Sequence, residues 1–128
     1  MKKSMSLVLL CIAAAGASVL LAAQTARAPD ALTATPEHIK LKLENEHVRV
    51  LEGRLEPGQK ENAHSHPSYV VYAASGGTIR VHGADGKTTD LTLKTGDVMY
   101  REPVAEHWGE NVGTTATDLI LVELKDAH

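Results

Sequence analysis

The chain has 128 residues, with 13 Lys and Arg against 16 Asp and Glu, seven His and a single Cys. A formal net charge of −3 argues against nucleic acid as a partner, because phosphate binding draws its affinity from clustered basic side chains. One cysteine excludes an internal disulfide framework, and no phosphate loop, Cys-x-x-Cys pair, heme signature or Ser-His-Asp pattern is present.

Lys2 and Lys3 precede an apolar and small-residue run from Leu7 to Ala23, and Ala26-Arg27-Ala28 then offers the small residues at alternate positions that a signal peptidase accepts. The run is about 17 residues long, at the short limit for spanning a bilayer. Residues 1–28 are therefore expected to be a cleaved secretory signal, which places the mature protein in the periplasm or outside the cell, free of the membrane. Cys11 lies inside this segment and follows Leu10, where a lipid-anchoring signal would want a small residue. Cleavage after Ala28 leaves 100 of the 128 residues, without cysteine and with 10 basic residues against 16 acidic ones. A chain of that length makes one domain. Residues 29–37, rich in Ala, Thr and Pro, read as a flexible lead into a domain over 38–128.

Within that domain the periodicity is that of strands. Ile39, Leu41 and Leu43 alternate with Lys40 and Lys42, and Val48 to Leu55 continues as a second strand. Tyr69 to Ala74 is a continuous apolar run, Thr78 to Val81 alternates, and Asp85-Gly86 marks a hairpin turn. Leu91 and Leu93, Val98 to Arg101, the segment around His107, and Leu119 to Leu124 complete about eight short strands. Short strands divided by Gly and Asp turns predict an all-β sandwich or barrel.

The chemistry-bearing residues sit on this frame. His64 and His66, two residues apart, share one face of a strand. If His107 returns to that face on a later strand, three imidazoles converge, a donor set that suits one divalent Zn, Fe, Ni, Cu or Mn with open positions for a ligand. Gly58 stands before the pair, Gly76-Gly77 closes the next apolar run, and Gly96 opens the segment leading through Pro103 to His107 and Asn111. That order resembles the two motifs of the cupin superfamily over roughly Glu44 to Lys125. The resemblance implies a double-stranded β-helix, or jelly-roll barrel, of antiparallel strands, with His64, His66 and His107 as metal ligands. Where the first motif usually has a glutamate, this chain has Val70 or Val71.

Tyr69 and Tyr72 are expected as donors behind the ligands, and His82 and Asn111 are candidates for the pocket, Asn111 more as a hydrogen-bonding residue than as a ligand. Trp108 is expected on the face opposite His107. Glu61, Glu106 and Glu110 flank the histidines and are expected to be solvated. Without a carboxylate, the metal would keep its formal +2 charge and favour an anionic, chelating small molecule. The three-histidine set is similar to that of the thiol and diketone dioxygenases of the superfamily, in which ferrous iron binds substrate and oxygen side by side. Two functions remain open: a dioxygenase-type oxidoreductase acting on a small organic acid or phenol, and a metal-dependent binding module without turnover. The open edge of the first strand suggests a homodimer.

Overall fold

Alternation along each strand puts one set of side chains inward, and two sheets close over that set. The structure, a computed structural model, describes residues 26–126; the expected signal run, Leu7 to Ala23, lies outside them. Among the described residues nine strands form, close to the number expected: β1 (Ile39–Glu44), β2 (Val48–Leu55), β3 (His64–His66), β4 (Tyr69–Ser75), β5 (Gly77–Gly83), β6 (Thr88–Leu93), β7 (Val98–Arg101), β8 (Val104–Asn111) and β9 (Thr117–Leu124). One sheet has the order β1-β2-β9-β4-β7 and the other β3-β8-β5-β6, and neighbouring strands in both run antiparallel. Apart from the β1–β2 and β5–β6 hairpins, successive strands pass from sheet to sheet, which is the double-stranded β-helix the resemblance implies.

Ile39, Leu51, Tyr69, Val71 and Leu121 pack together from the inner face of the larger sheet. The other face of that sheet is apolar in part: Leu43 lies opposite Val50, Val50 opposite Val122, Val122 opposite Val70, and Val70 opposite Tyr100. Gly58 and Gly96 both have φ in the left-handed region, +83° and +93°, where a side chain is strained. Each ends a tight turn that redirects the chain toward a histidine-bearing segment, a physical reason for glycine at both positions.

Residues 29–37 differ from the flexible lead expected of them. Ala31–Ala34 forms a single helical turn, α1, whose N-cap Asp30 accepts a hydrogen bond from Leu32 N through Oδ1 at 3.0 Å. Ala31 and Thr35 are fully buried. Composition suggested a loose segment, but the small size of Ala31 is what lets the turn press onto the barrel. The stretch before it is also tied down. Ser65, between the two histidines, donates its backbone N–H to Pro29 O and its hydroxyl to Ala28 O, both at 2.8 Å.

Candidate metal centre

Strand register brings the three histidines together. His64 on β3 lies directly opposite His107 on β8, while an irregularity in the pairing sets His66 opposite Val104. The ring centroids are 4.7 Å apart for His64 and His66, 4.8 Å for His64 and His107, and 5.2 Å for His66 and His107. One nitrogen from each ring falls within 4.8 Å of the others.

The orientation of two rings is set from behind. His64 Nδ1 donates to the carbonyl of Asn62 at 2.8 Å, and His66 Nδ1 donates to Glu123 Oε1 at 2.6 Å. Both acceptors lack a proton to give, so each Nδ1 carries hydrogen and each Nε2 keeps its lone pair. A buried carboxylate or carbonyl holding Nδ1 is the usual support of a metal-ligating imidazole. Burial, followed by the neighbouring imidazoles and, for His107, Arg101, pushes His64 down to about 4 and His107 down to about 3. Both are thus neutral at physiological pH, the form that binds a metal. On donor type, tautomer and protonation, the residues fit a divalent transition metal; the ligand set does not select among Fe, Mn, Ni, Cu and Zn.

Glu123 is itself held. Burial raises its carboxyl, but hydrogen bonds from His66 and Arg49 outweigh that and keep it below the usual range. Arg49 Nε reaches Glu123 Oε2 at 2.6 Å, and a guanidinium nitrogen of Arg49 lies 3.3 Å from Asp30 Oδ1. A chain of contacts therefore runs from the cap of α1 through Arg49 and Glu123 to His66. Neither Arg49 nor Glu123 was singled out in the sequence. The available signal was parity: Glu123 follows Leu119 and Leu121 on the inward face of β9, where a carboxylate needs a partner.

The carboxylate near the rings comes from an unexpected place. Of the two residues at the usual glutamate position, Val71 is an apolar wall residue and Val70 turns outward. Glu61, expected to be solvated, lines the cavity instead. Its Oε2 lies 3.9 Å from His64 Nε2 and accepts from Gly109 N at 2.9 Å, while its own N–H donates to Gly109 O at 2.9 Å. Gly109 is on the inward face of β8, two residues after His107; a Cβ there would stand 2.9 Å from Glu61 Oε2, so glycine makes the room. Burial raises the Glu61 carboxyl to about 7. A metal on these rings would therefore not keep an uncompensated +2 charge, as the sequence suggests: at neutral pH this carboxyl is poised between its charged and neutral forms beside the histidines.

The cavity measures about 80 Å³ and is otherwise walled by Ile79, Val81, Leu93, Met99 and similar side chains. Tyr69 belongs to it, buried, its ring centroid 4.6 Å from that of His66. The three other candidates for the pocket or for the support behind the ligands do not. Tyr72 is 43% exposed on the outer face of β4, one residue out of phase with Val71 and Ala73. His82 stacks on Trp108 at 3.5 Å with an interplanar angle of 6° and meets Glu110 at 3.2 Å, all on the outer face of the smaller sheet. Trp108 thus faces away from His107 as alternation requires. Asn111 is buried, but its amide donates to Leu55 O and Thr115 O and accepts from Gly113 N, bracing strand ends rather than the cavity.

The family model described as Cupin domain matches residues 51–123. With both histidine segments inside that span and the double-stranded β-helix around them, the chain belongs to the cupin family. A cupin domain from Bordetella pertussis Tohama I is similar at 26% identity and TM-score 0.64, covering 78% of this chain and 98% of that one. A Klebsiella pneumoniae protein with a double-stranded β-helix domain is similar at 26% identity and TM-score 0.55, covering 70% and 77%. An RmlC-like cupin from Methanocaldococcus jannaschii, at 15% identity, TM-score 0.56 and coverage of 67% and 77%, shares the fold. A comparison with functionally curated proteins finds no match.

Proposed function

We propose that this cupin holds one divalent metal on His64, His66 and His107 and uses it to bind a small anionic, chelating organic ligand, an acid or a phenol, in a dioxygenase-type oxidation. The observation that carries the reading is the pair of engaged Nδ1 atoms: two of three converging imidazoles are locked with Nε2 free. A metal bound there would polarise a ligand oxygen and hold a second small molecule beside it. The protein's own part is to fix the three rings, to exclude bulk water with aliphatic walls, and to place the Glu61 carboxyl where it can take or give a proton near pH 7.

Metal analysis of the purified protein tests the premise, with a stoichiometry near one per chain expected. Oxygen consumption by iron-loaded protein across small acids and phenols tests turnover. Metal uptake without oxygen consumption would favour the second reading, a binding module, which the small cavity of about 80 Å³ also suits.

The cellular setting belongs to the same proposal. Lys2, Lys3, the Leu7 to Ala23 run and Ala26-Arg27-Ala28 support export and cleavage after Ala28; terminal sequencing of periplasmic protein should begin at Pro29. For assembly, β1 is an edge strand with Leu41 and Leu43 about half exposed, and its open backbone supports a two-fold dimer. Sedimentation should give twice the chain mass, and a monomer at micromolar concentration would reject it.

A further inference from the structure

The inward faces of four strands carry one row of cross-strand neighbours: Arg49 opposite Glu123, Glu123 opposite Tyr69, and Tyr69 opposite Arg101. The two arginines of this row are treated differently. Arg49 is matched by both Glu123 and Asp30. Arg101 enters no ion pair among the described residues, in contrast to Arg49, Arg54 and Arg80. Yet it lines the same cavity as the three histidines, and its next inward neighbour on β7 is the apolar Met99.

Among the described residues that line the cavity, Arg101 carries the guanidinium, a permanently charged group with five N–H donors and no acceptor. A half-buried guanidinium against aliphatic side chains lacks the counter-charge that such a group normally finds. Its planar fork matches a carboxylate in a way that a neutral ligand cannot reproduce. Tyr69 stands directly opposite it on β4, and its phenolic hydroxyl is a second donor on the same cavity wall.

We propose that Arg101, with the Tyr69 hydroxyl, is the anion anchor of this cavity and takes the carboxylate of a small aliphatic monoacid, whose tail lies against the apolar wall. The proposal rests on the reading that the cavity is where the ligand binds, but the anchor does not need the metal to act.

Isobutyrate and isobutyramide have the same shape and differ in charge, and calorimetric titration of both into metal-free and zinc-loaded protein isolates the anchor. Metal-free wild type should bind isobutyrate at least about tenfold more tightly than isobutyramide, the scale of a charge-assisted hydrogen-bonded pair. Arg101→Gln should erase that preference, Arg101→Lys should retain part of it, and Tyr69→Phe should reduce it a few-fold, with zinc content by elemental analysis unchanged in all three. Equal affinity of metal-free wild type for the two probes, absence of isobutyrate binding, or an Arg101→Gln protein that melts like wild type and keeps the preference would each overturn the anchor. Should Arg101→Gln not fold, Arg101→Lys decides: a preference as strong as that of wild type counts against the fork. A protein that takes up no zinc but keeps an arginine-dependent preference would sink the metal reading and leave the anchor standing; zinc uptake without the preference does the reverse.

Discussion

Glu123 grips His66 from behind, its Oε1 accepting from Nδ1 at 2.6 Å with both side chains all but fully buried. The other oxygen of the same carboxylate is taken by Arg49, so this one group fixes a ligand's tautomer and neutralises a cation at once. Glu123→Gln keeps the shape and loses the charge. Zinc affinity should fall about 10–100-fold, the usual cost of losing a carboxylate behind a ligating imidazole. Stability should drop by about 1–3 kcal/mol as the hydrogen bonds weaken. Competition with a chelator and a urea melt read the two effects; unchanged zinc affinity would show that His66 does not need this support.

The pH dependence of the metal-free protein follows from opposed shifts. His64 and His107 are depressed to about 4 and about 3 from an ordinary 6.5. The unfolded chain therefore takes up protons below about 6.5 that the native state refuses, so their contribution to stability is present above that pH and is lost as pH falls toward 4. Glu61 is raised from 4.5 to about 7, and its contribution runs the other way, present below 4.5 and lost as pH rises to 7. Between pH 6.5 and 4.5 the two histidines are partly offset by one carboxyl. Melting temperature should thus decline gently across that window and steeply below it, and Glu61→Gln should make the upper part steeper. A variant profile parallel to that of wild type between pH 6.5 and 4.5 would contradict the inward position of Glu61. Acid should also displace a bound metal from these rings well below 6.5, later than free imidazole would predict.

The barrel and the three-histidine cluster were legible because both are periodic. Alternation fixes faces, and the order of His64, His66 and His107 among the glycines resembles the two cupin motifs, which is what joined the distant His107 to the pair; the pairing itself is seen only in the fold. What escaped was information carried by parity across strands and by backbone contacts. Glu61 sits in a segment without strand periodicity, and only its two bonds to Gly109 bring it inward. Tyr72 was misplaced because an apolar run such as Tyr69 to Ala74 does not announce its inner face; the buried Tyr69, Val71 and Ala73 do. Arg101 shares the inward phase of Met99, a signal available in the alternation but readable only once β7 is known to face the histidines.

Face assignments can be checked by what does not change. His82→Ala and Tyr72→Ala should leave zinc content at the wild-type level, since both side chains lie on outer faces. His64→Ala, His66→Ala and His107→Ala should each lose it. Elemental analysis of the five purified variants is sufficient, and full retention by all three latter proteins would remove the centre altogether.

Gly109 gives the sharpest test of the Glu61 position. The added methyl of Gly109→Ala would stand 2.9 Å from Glu61 Oε2, closer than packed atoms tolerate, and 3.2 Å from Ile79 Cγ2, a tight contact that a shift of a few tenths of an ångström relieves; Ile79 sits on a strand paired with β8. The carboxylate end is the part free to move, so the expected outcome is displacement of Glu61 from the cavity with an overpacking cost of about 1–3 kcal/mol. Two consequences separate this from general damage. The pH profile of metal-free Gly109→Ala should come to resemble that of Glu61→Gln, since the raised carboxyl has left its site, and adding Glu61→Gln to Gly109→Ala should steepen it no further. Zinc content should persist, because none of the three imidazoles is moved. A Gly109→Ala protein that is less stable by the same amount at every pH between 4.5 and 7 would mean that Glu61 keeps its place and that the strain falls on Ile79 instead.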